Sequence, residues 1–76
     1  MKILIELRYI DKPREGAILK YNAGPKHDIK RIRKDYEIYW PGFTNAKFYY
    51  RGTQLGEKVR PVDIMRENES LIAVVR

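Results

Sequence analysis

The chain has 76 residues, no cysteine and a formal net charge of +6. This length allows one domain with one small core, and the lack of cysteine excludes disulfides, thiolate nucleophiles and cysteine-ligated metal centres. The composition, 43% hydrophobic and 34% charged, is typical of a globular domain, and no apolar run is long enough to span a membrane. We therefore expect a single domain over residues 1–76, intracellular (cytoplasmic or nuclear), without a signal peptide or membrane segment.

The start of the chain predicts a β-hairpin. Residues 1–8 alternate between apolar and polar side chains, as in a half-buried strand, with Leu4 alone out of phase. A turn containing charged residues and proline interrupts the pattern, and alternation resumes over residues 17–21 with Ile18 and Lys20 outward. The residues expected to face the core are Ile3, Ile5, Leu7, Ala17, Leu19 and Tyr21.

One helix is predicted after the hairpin, over residues 28 to about 38. Asp28 is a residue type that caps helix N-termini, and Pro41 disfavours helical backbone at the residue before it. The apolar positions follow helical spacing and form one face, at Ile29, Ile32 and Tyr36. The other face is strongly basic, with Lys30, Arg31, Arg33 and Lys34.

The second half of the chain predicts more strands. Residues 46–50 and 71–75 have strand composition, a turn is expected at 51–53, and residues 54–55 add a short strand. Pro61 argues against a central strand near it. The order β-β-α-β-(β)-β predicts an α+β domain in which a mixed sheet of four to five strands packs on one helix.

The residues available for chemistry favour binding over catalysis. His27 is the only histidine, and a lone histidine beside a helix start is typical of a surface or capping residue. Asp35 and Glu57 each stand next to a lysine, which we interpret as solvated surface charge. Phosphate-binding loops, nucleophile elbows and histidine-based metal motifs are absent from the sequence. We therefore expect no enzymatic activity, no metal and no cofactor.

Two surfaces compete as the binding site. If the strands at 46–50 and 71–75 are neighbours, alternation places Tyr49, Ile72 and Val74 outward in one apolar patch suited to a protein partner. Another segment or a homodimer partner could cover that patch instead. The basic helix face with Tyr39 and Trp40 suits the phosphates and bases of nucleic acid, or is simply a solvated surface.

Two segments of the chain are similar to the ubiquitin-like, β-grasp family. Residues 47–55 resemble its strand followed by a Gly-x-Gln-Leu turn, and residues 69–76 resemble its last strand. The resemblance implies a β-grasp fold whose partner surface is an apolar patch with a basic rim. By position, it implies Tyr49 at the patch centre, Ile72 and Val74 beside it, Gly52 at its edge, and Lys47 and Arg76 on the rim.

The resemblance leaves three functions open. The first is a non-catalytic protein-interaction module for an acidic-rimmed partner, and the second is a nucleic-acid-binding module that uses the basic helix face. Covalent modifiers and sulfur carriers of the family end in Gly-Gly, whereas this sequence ends in Val75 and Arg76. The third function is therefore a modifier or sulfur carrier that lacks its tail. The sequence leaves the oligomeric state open.

Overall fold

Five strands form one mixed sheet in the computed structural model, which describes residues 1–75. The strands are β1 (Lys2–Tyr9), β2 (Gly16–Asn22), β3 (Lys47–Tyr50), β4 (Thr53–Gln54) and β5 (Ser70–Val75). The main helix is α1 (Ile29–Glu37), accompanied by a 3-10 turn (Phe43–Asn45) and a one-turn helix α2 (Pro61–Ile64).

The strand order is β2-β1-β5-β3-β4, so the first and last strands of the chain lie beside each other near the centre. β1 is antiparallel to β2 and parallel to β5, and β3 is antiparallel to both β5 and β4. α1 follows β2 in sequence and packs its apolar side into the same core as the sheet. The predicted α+β arrangement of a mixed sheet and one main helix is confirmed.

The limits of α1 follow from local chemistry. The Asp28 carboxylate accepts the backbone N–H of Arg31 at 2.9 Å, which satisfies one of the donors left unpaired at a helix start. Ile29 and Ile32 are fully buried, and the helix ends with Ile38 as its C-cap. The predicted cap, apolar face and end of the helix are therefore confirmed.

The core lies between α1 and one face of the sheet. Alternate residues of β1 are buried, and two phenylalanine rings, Phe43 and Phe48, meet edge to face with 5.7 Å between their centroids. Full burial of side chains of this size contributes about 1.5–3 kcal/mol each. The largest buried side chains include Ile3, Ile5, Leu7, Ile29, Ile32, Phe43, Phe48, Leu71 and Val75.

The sequence did not predict the two shortest helical elements. Pro61 occupies the first position of α2, where proline needs no N–H donor, and its carbonyl accepts the Met65 N–H at 2.8 Å. The 3-10 turn follows Gly42, whose φ of 88° turns the chain so that Phe43 enters the core. Elements of a single turn are too short to show helical periodicity in a sequence.

Candidate interaction surfaces

The face of the sheet opposite α1 carries apolar and basic side chains, and we call it the open face. It follows from strand alternation, because the neighbours of the buried residues on each strand point to the opposite side. Its apolar members are Leu4, Ile18, Tyr49, Ile72 and Val74. Its charged members are Glu6 and the basic Lys2, Arg8, Lys20 and Lys47.

The predicted patch residues lie side by side on the open face. Tyr49 of β3 stands opposite Ile72 of β5, and Val74 stands opposite Lys47. Directly opposed residues have Cβ atoms about 4.5–5.5 Å apart, so these side chains are in mutual contact range. Tyr49, Ile72 and Val74 are half-buried and Lys47 is exposed. The structure therefore brings these four predicted residues together.

Gly52 and Arg76 are the two further residues predicted for this surface. Gly52 lies in the exposed turn between β3 and β4, with a φ of 81°, and it follows Arg51 with a φ of 50°. Arg76 lies outside the described residues. The turn is held by Arg51, whose guanidinium lies 5.3 Å from the Tyr50 ring and 3.3 Å from the Glu69 carboxylate.

Leu4 and Ile18 are further apolar residues of the open face, and Glu6 separates Ile18 from Ile72 of the predicted patch. Glu6 stands opposite both Ile18 on β2 and Ile72 on β5, so one row crosses β2, β1, β5 and β3. Glu6 also approaches Arg8 at 3.6 Å. The alternation signal for Leu4 and Ile18 is present in the sequence. The sequence does not give the order of the strands, so it could not show that these two residues lie on the same face as the patch.

The basic helix face is smaller than predicted, because Arg33 does not belong to it. Its side chain is only 19% exposed, and its guanidinium donates to the Ala46 carbonyl at 3.1 and 3.3 Å and to Glu57 at 2.8 Å. The guanidinium carbon also lies 5.9 Å from the centroid of the Phe48 ring. Arg33 therefore ties α1 to the segments on either side of β3 and β4.

The remaining basic residues of α1 are exposed. Lys30, Arg31 and Lys34 point to solvent, and the Arg31 guanidinium donates to the Asp35 carboxylate at 3.1 Å. Tyr39 is 70% exposed beside Ile38, which is 82% exposed. Trp40 is half-buried and meets the Tyr36 ring edge to face with 5.8 Å between centroids.

Asp35 and Glu57 are not simple solvated charges. Asp35 accepts hydrogen bonds from the Tyr21 hydroxyl and Arg31, and Glu57 pairs with Arg33. The pKa of the Asp35 carboxyl is lowered from its usual value. Partial burial acts to raise this pKa, but the hydrogen bonds from Tyr21 and Arg31 and the positive charge of Arg31 have the larger combined effect. Burial, followed by the hydrogen bond to Asp35, raises the pKa of the Tyr21 hydroxyl above its usual range.

A second carboxylate is held in a similar way at the turn before β5. Glu69 accepts the Arg66 N–H at 2.6 Å, the Tyr50 hydroxyl at 3.0 Å and the Arg51 guanidinium at 3.3 Å. These hydrogen bonds, the backbone one first, lower the pKa of the Glu69 carboxylate. Each carboxylate is therefore stabilised in the charged form by one donor from its own segment and by a tyrosine hydroxyl from another element.

The single histidine has a local structural partner. The Gly24 N–H donates to Nδ1 of His27 at 2.9 Å, and the imidazole ring lies 5.6 Å from the ring of Tyr21. Within residues 1–75, no three histidine or acidic side chains come together as a metal site requires.

No protein-family model matches the chain, and a search among curated proteins finds no significant match. In the described part of the chain, none of the helices has the length and apolar character of a membrane span.

Proposed function

We propose that this chain is a β-grasp domain of the ubiquitin-like type that binds a protein partner through the open face and has no catalytic activity. The fold part of the proposal is supported by the strand order β2-β1-β5-β3-β4, with one main helix between β2 and β3. Residues 47–55 and 69–76 supply the sequence resemblance, and the first segment includes the β3 to β4 turn.

The observation that carries the function is the contiguous apolar part of the open face. Ile72 lies between Tyr49 and the Glu6 position, and Leu4 lies on the same side of the neighbouring strand. Apolar side chains in contiguous exposed surfaces of small domains mark interaction sites more often than isolated ones do. Tyr49 belongs to this surface, and tyrosine is one of the residue types enriched among the anchors of protein interfaces.

The charges around the patch indicate the chemistry of the partner. Lys2, Arg8, Lys20 and Lys47 surround the apolar residues, and Glu6 is the one carboxylate among these side chains. Charge complementarity therefore favours a partner whose apolar stripe is bordered by Asp and Glu. An amphipathic helix with acidic residues beside its apolar face has this character.

Nucleic acid binding by the helix face is the competing function, and the geometry supports it less. Nucleic acid affinity depends on the number of basic side chains that reach phosphates. Arg33 is withdrawn into contacts with Ala46 and Glu57, and Arg31 is paired with Asp35. Two lysines and the exposed Tyr39 remain, which is a small electrostatic footprint.

An NMR titration with three probes tests the proposal: an acidic amphipathic helical peptide, short duplex DNA and single-stranded RNA. Two tyrosines serve as matched substitutions, because Tyr49 lies on the open face and Tyr39 at the end of α1. We expect the peptide to shift the resonances of Tyr49, Ile72 and Val74. We expect Tyr49→Ala to weaken peptide binding about tenfold or more, and Tyr39→Ala to leave it unchanged.

The opposite pattern would contradict the proposal. Nucleic acid would then shift Lys30, Lys34 and Tyr39, Tyr39→Ala would weaken that binding, and the peptide would produce no shifts on the open face. Ionic strength gives a second distinction, because a protein that contacts several phosphates loses about 1000-fold in affinity between roughly 50 and 200 mM salt. Binding dominated by apolar contacts changes far less over the same range.

A further inference from the structure

On the outer edge of β2, backbone groups face away from the sheet, and their positions follow from the register. The Leu4 N–H donates to the Glu69 carbonyl at 2.9 Å, on the β5 side of β1. The backbone groups of Leu4 therefore point toward β5 and not toward β2. Leu4 stands opposite Lys20, so these two residues exchange no backbone hydrogen bonds. The N–H and C=O of Lys20 consequently point away from β1. By alternation, the backbone groups of Gly16, Ile18 and Asn22 point outward as well.

This edge has few of the features that prevent strands from pairing with other chains. β2 is seven residues long, contains no proline and keeps a continuous register with β1 without a bulge. Ile18 at its centre is 65% exposed. Within residues 1–75, one hydrogen bond reaches the outward groups, from the Tyr36 hydroxyl to the Lys20 carbonyl at 3.3 Å.

The opposite edge of the sheet is different. β4 contains only Thr53 and Gln54, so it offers too short a row of backbone groups to hold another strand. Strand addition is therefore favoured at β2 alone of the two edges.

We propose that β2 pairs with β2 of a second copy of this chain, antiparallel and with two-fold symmetry about Ile18. In this register the two Ile18 side chains are opposite each other, and Lys20 of each copy stands opposite Gly16 of the other. The strand's only charged side chain thus meets a residue without a side chain, and like charges do not face each other. The Lys20 carbonyl can accept the new hydrogen bond beside that of Tyr36, since a carbonyl oxygen has two lone pairs.

Gly16 is fixed at this position by the fold itself. A Cβ atom at Gly16 would lie 2.7 Å from the carbonyl oxygen of Leu7, closer than real Cβ contacts occur. The close approach of β1 and β2 therefore requires glycine at this position. Because glycine has no side chain, it leaves room for the Lys20 side chain of the second copy.

The pairing joins two five-stranded sheets into one of ten strands. Directly opposed residues of an antiparallel pair project on the same side, so both helices lie on one side and both open faces on the other. If the open face binds a partner as proposed above, the dimer presents two such sites side by side, and a partner with two binding segments gains avidity. The dimer itself does not depend on that function.

Sedimentation velocity of the purified chain, without any ligand, tests for the dimer. A single pair of strands makes a small and weak interface, so the measurements should cover about a hundredfold concentration range that reaches roughly millimolar. We expect a monomer to dimer transition in the unaltered chain. Ile18→Lys places two ammonium groups opposite each other and should weaken association about tenfold or more. Tyr49→Lys adds the same charge to the open face and should leave association unchanged.

Amide hydrogen exchange locates the contact and shows that the variants are folded. The Leu19 N–H lies on the β1 side of β2 and should be protected at all concentrations and in both variants. The Ile18 N–H should become protected only as concentration rises, and in Ile18→Lys the corresponding amide should not. Any one of three results would overturn the proposal. The chain stays monomeric, or the exchange rate of the Ile18 amide does not depend on concentration. The third is that Tyr49→Lys abolishes association whereas Ile18→Lys does not.

Discussion

At the scale of single residues, the turn between β3 and β4 shows how local backbone geometry selects residue types. Arg51 and Gly52 both have positive φ, at 50° and 81°, as the central residues of a two-residue hairpin turn. Glycine adopts this conformation without steric cost. Arg51 is held there by its contacts with Tyr50 and Glu69. The sequence predicted this turn because Gly52 stands between two segments of strand composition.

Replacing Gly52 by alanine should destabilise the protein by about 1 kcal/mol, because alanine is strained at positive φ. Gly56 is the matched control, since at both positions an added Cβ atom would meet nothing within 4 Å and only Gly52 has a positive φ. Gly56→Ala should therefore change the free energy of unfolding little, as measured by urea denaturation. Equal losses in the two variants would show that the backbone conformation at Gly52 is not the cause.

At the scale of elements, the sequence predicted the two ends of α1 but not the contacts that Arg33 of this helix makes with other segments. Asp28 and Pro41 carry local signals for the two ends of the helix, and both operate over a few residues. The position of Arg33 depends instead on Ala46 and Glu57, which lie 13 and 24 residues further along the chain. Helical periodicity places Arg33 near the boundary of the apolar face. It cannot show that the Ala46 carbonyl and the Glu57 carboxylate lie within hydrogen-bond distance of the guanidinium.

Arg33→Ala should therefore lower the free energy of unfolding by about 1–3 kcal/mol, because the Ala46 carbonyl loses a charged donor and the Phe48 ring loses a covering group. Lys34→Ala removes a basic residue from the exposed side of the same helix and should have an effect within about 0.5 kcal/mol. Chemical denaturation of both variants measures the difference. A larger loss for Lys34→Ala would contradict the tethering role of Arg33.

At the scale of the whole molecule, strand order decides which side chains share a surface. Alternation alone predicted that Tyr49, Ile72 and Val74 point outward, and the pairing of β3 with β5 places them together. Leu4 and Ile18 join them only because β1 and β2 continue the same sheet. Strand order results from long-range packing, for which the sequence of each strand carries no separate signal. The sequence could therefore supply the members of the surface but not its extent.

The carboxylates that link different elements should make the fold sensitive to acid. Asp35 of α1 has a lowered pKa in the folded state, so its contribution to stability is present above its unfolded pKa, about 4. It is lost as the pH falls through the lower folded value. The free energy of unfolding should thus decrease below about pH 4, and Asp35→Asn should flatten that decrease.

Denaturation by urea at several pH values measures this dependence. Asp11→Asn changes an exposed carboxylate of the hairpin turn and is the matched control, which should keep the profile of the unaltered chain. If Asp35→Asn shows the same steepness as the unaltered chain, the charge of Asp35 does not contribute to the acid response. Glu69, whose pKa is also lowered, should contribute to the acid response that remains in Asp35→Asn.

The parallel pairing of β1 with β5 has a consequence for the synthesis of the chain. Ile5 pairs with Leu71 and Leu7 with Ala73, so the centre of the sheet joins two strands that are far apart in the sequence. Until β5 leaves the ribosome, the exposed hairpin of β1 and β2 has no neighbour along the inner edge of β1. This domain therefore cannot complete its fold before β5 has been made, and native structure forms in a late step governed by long-range contacts.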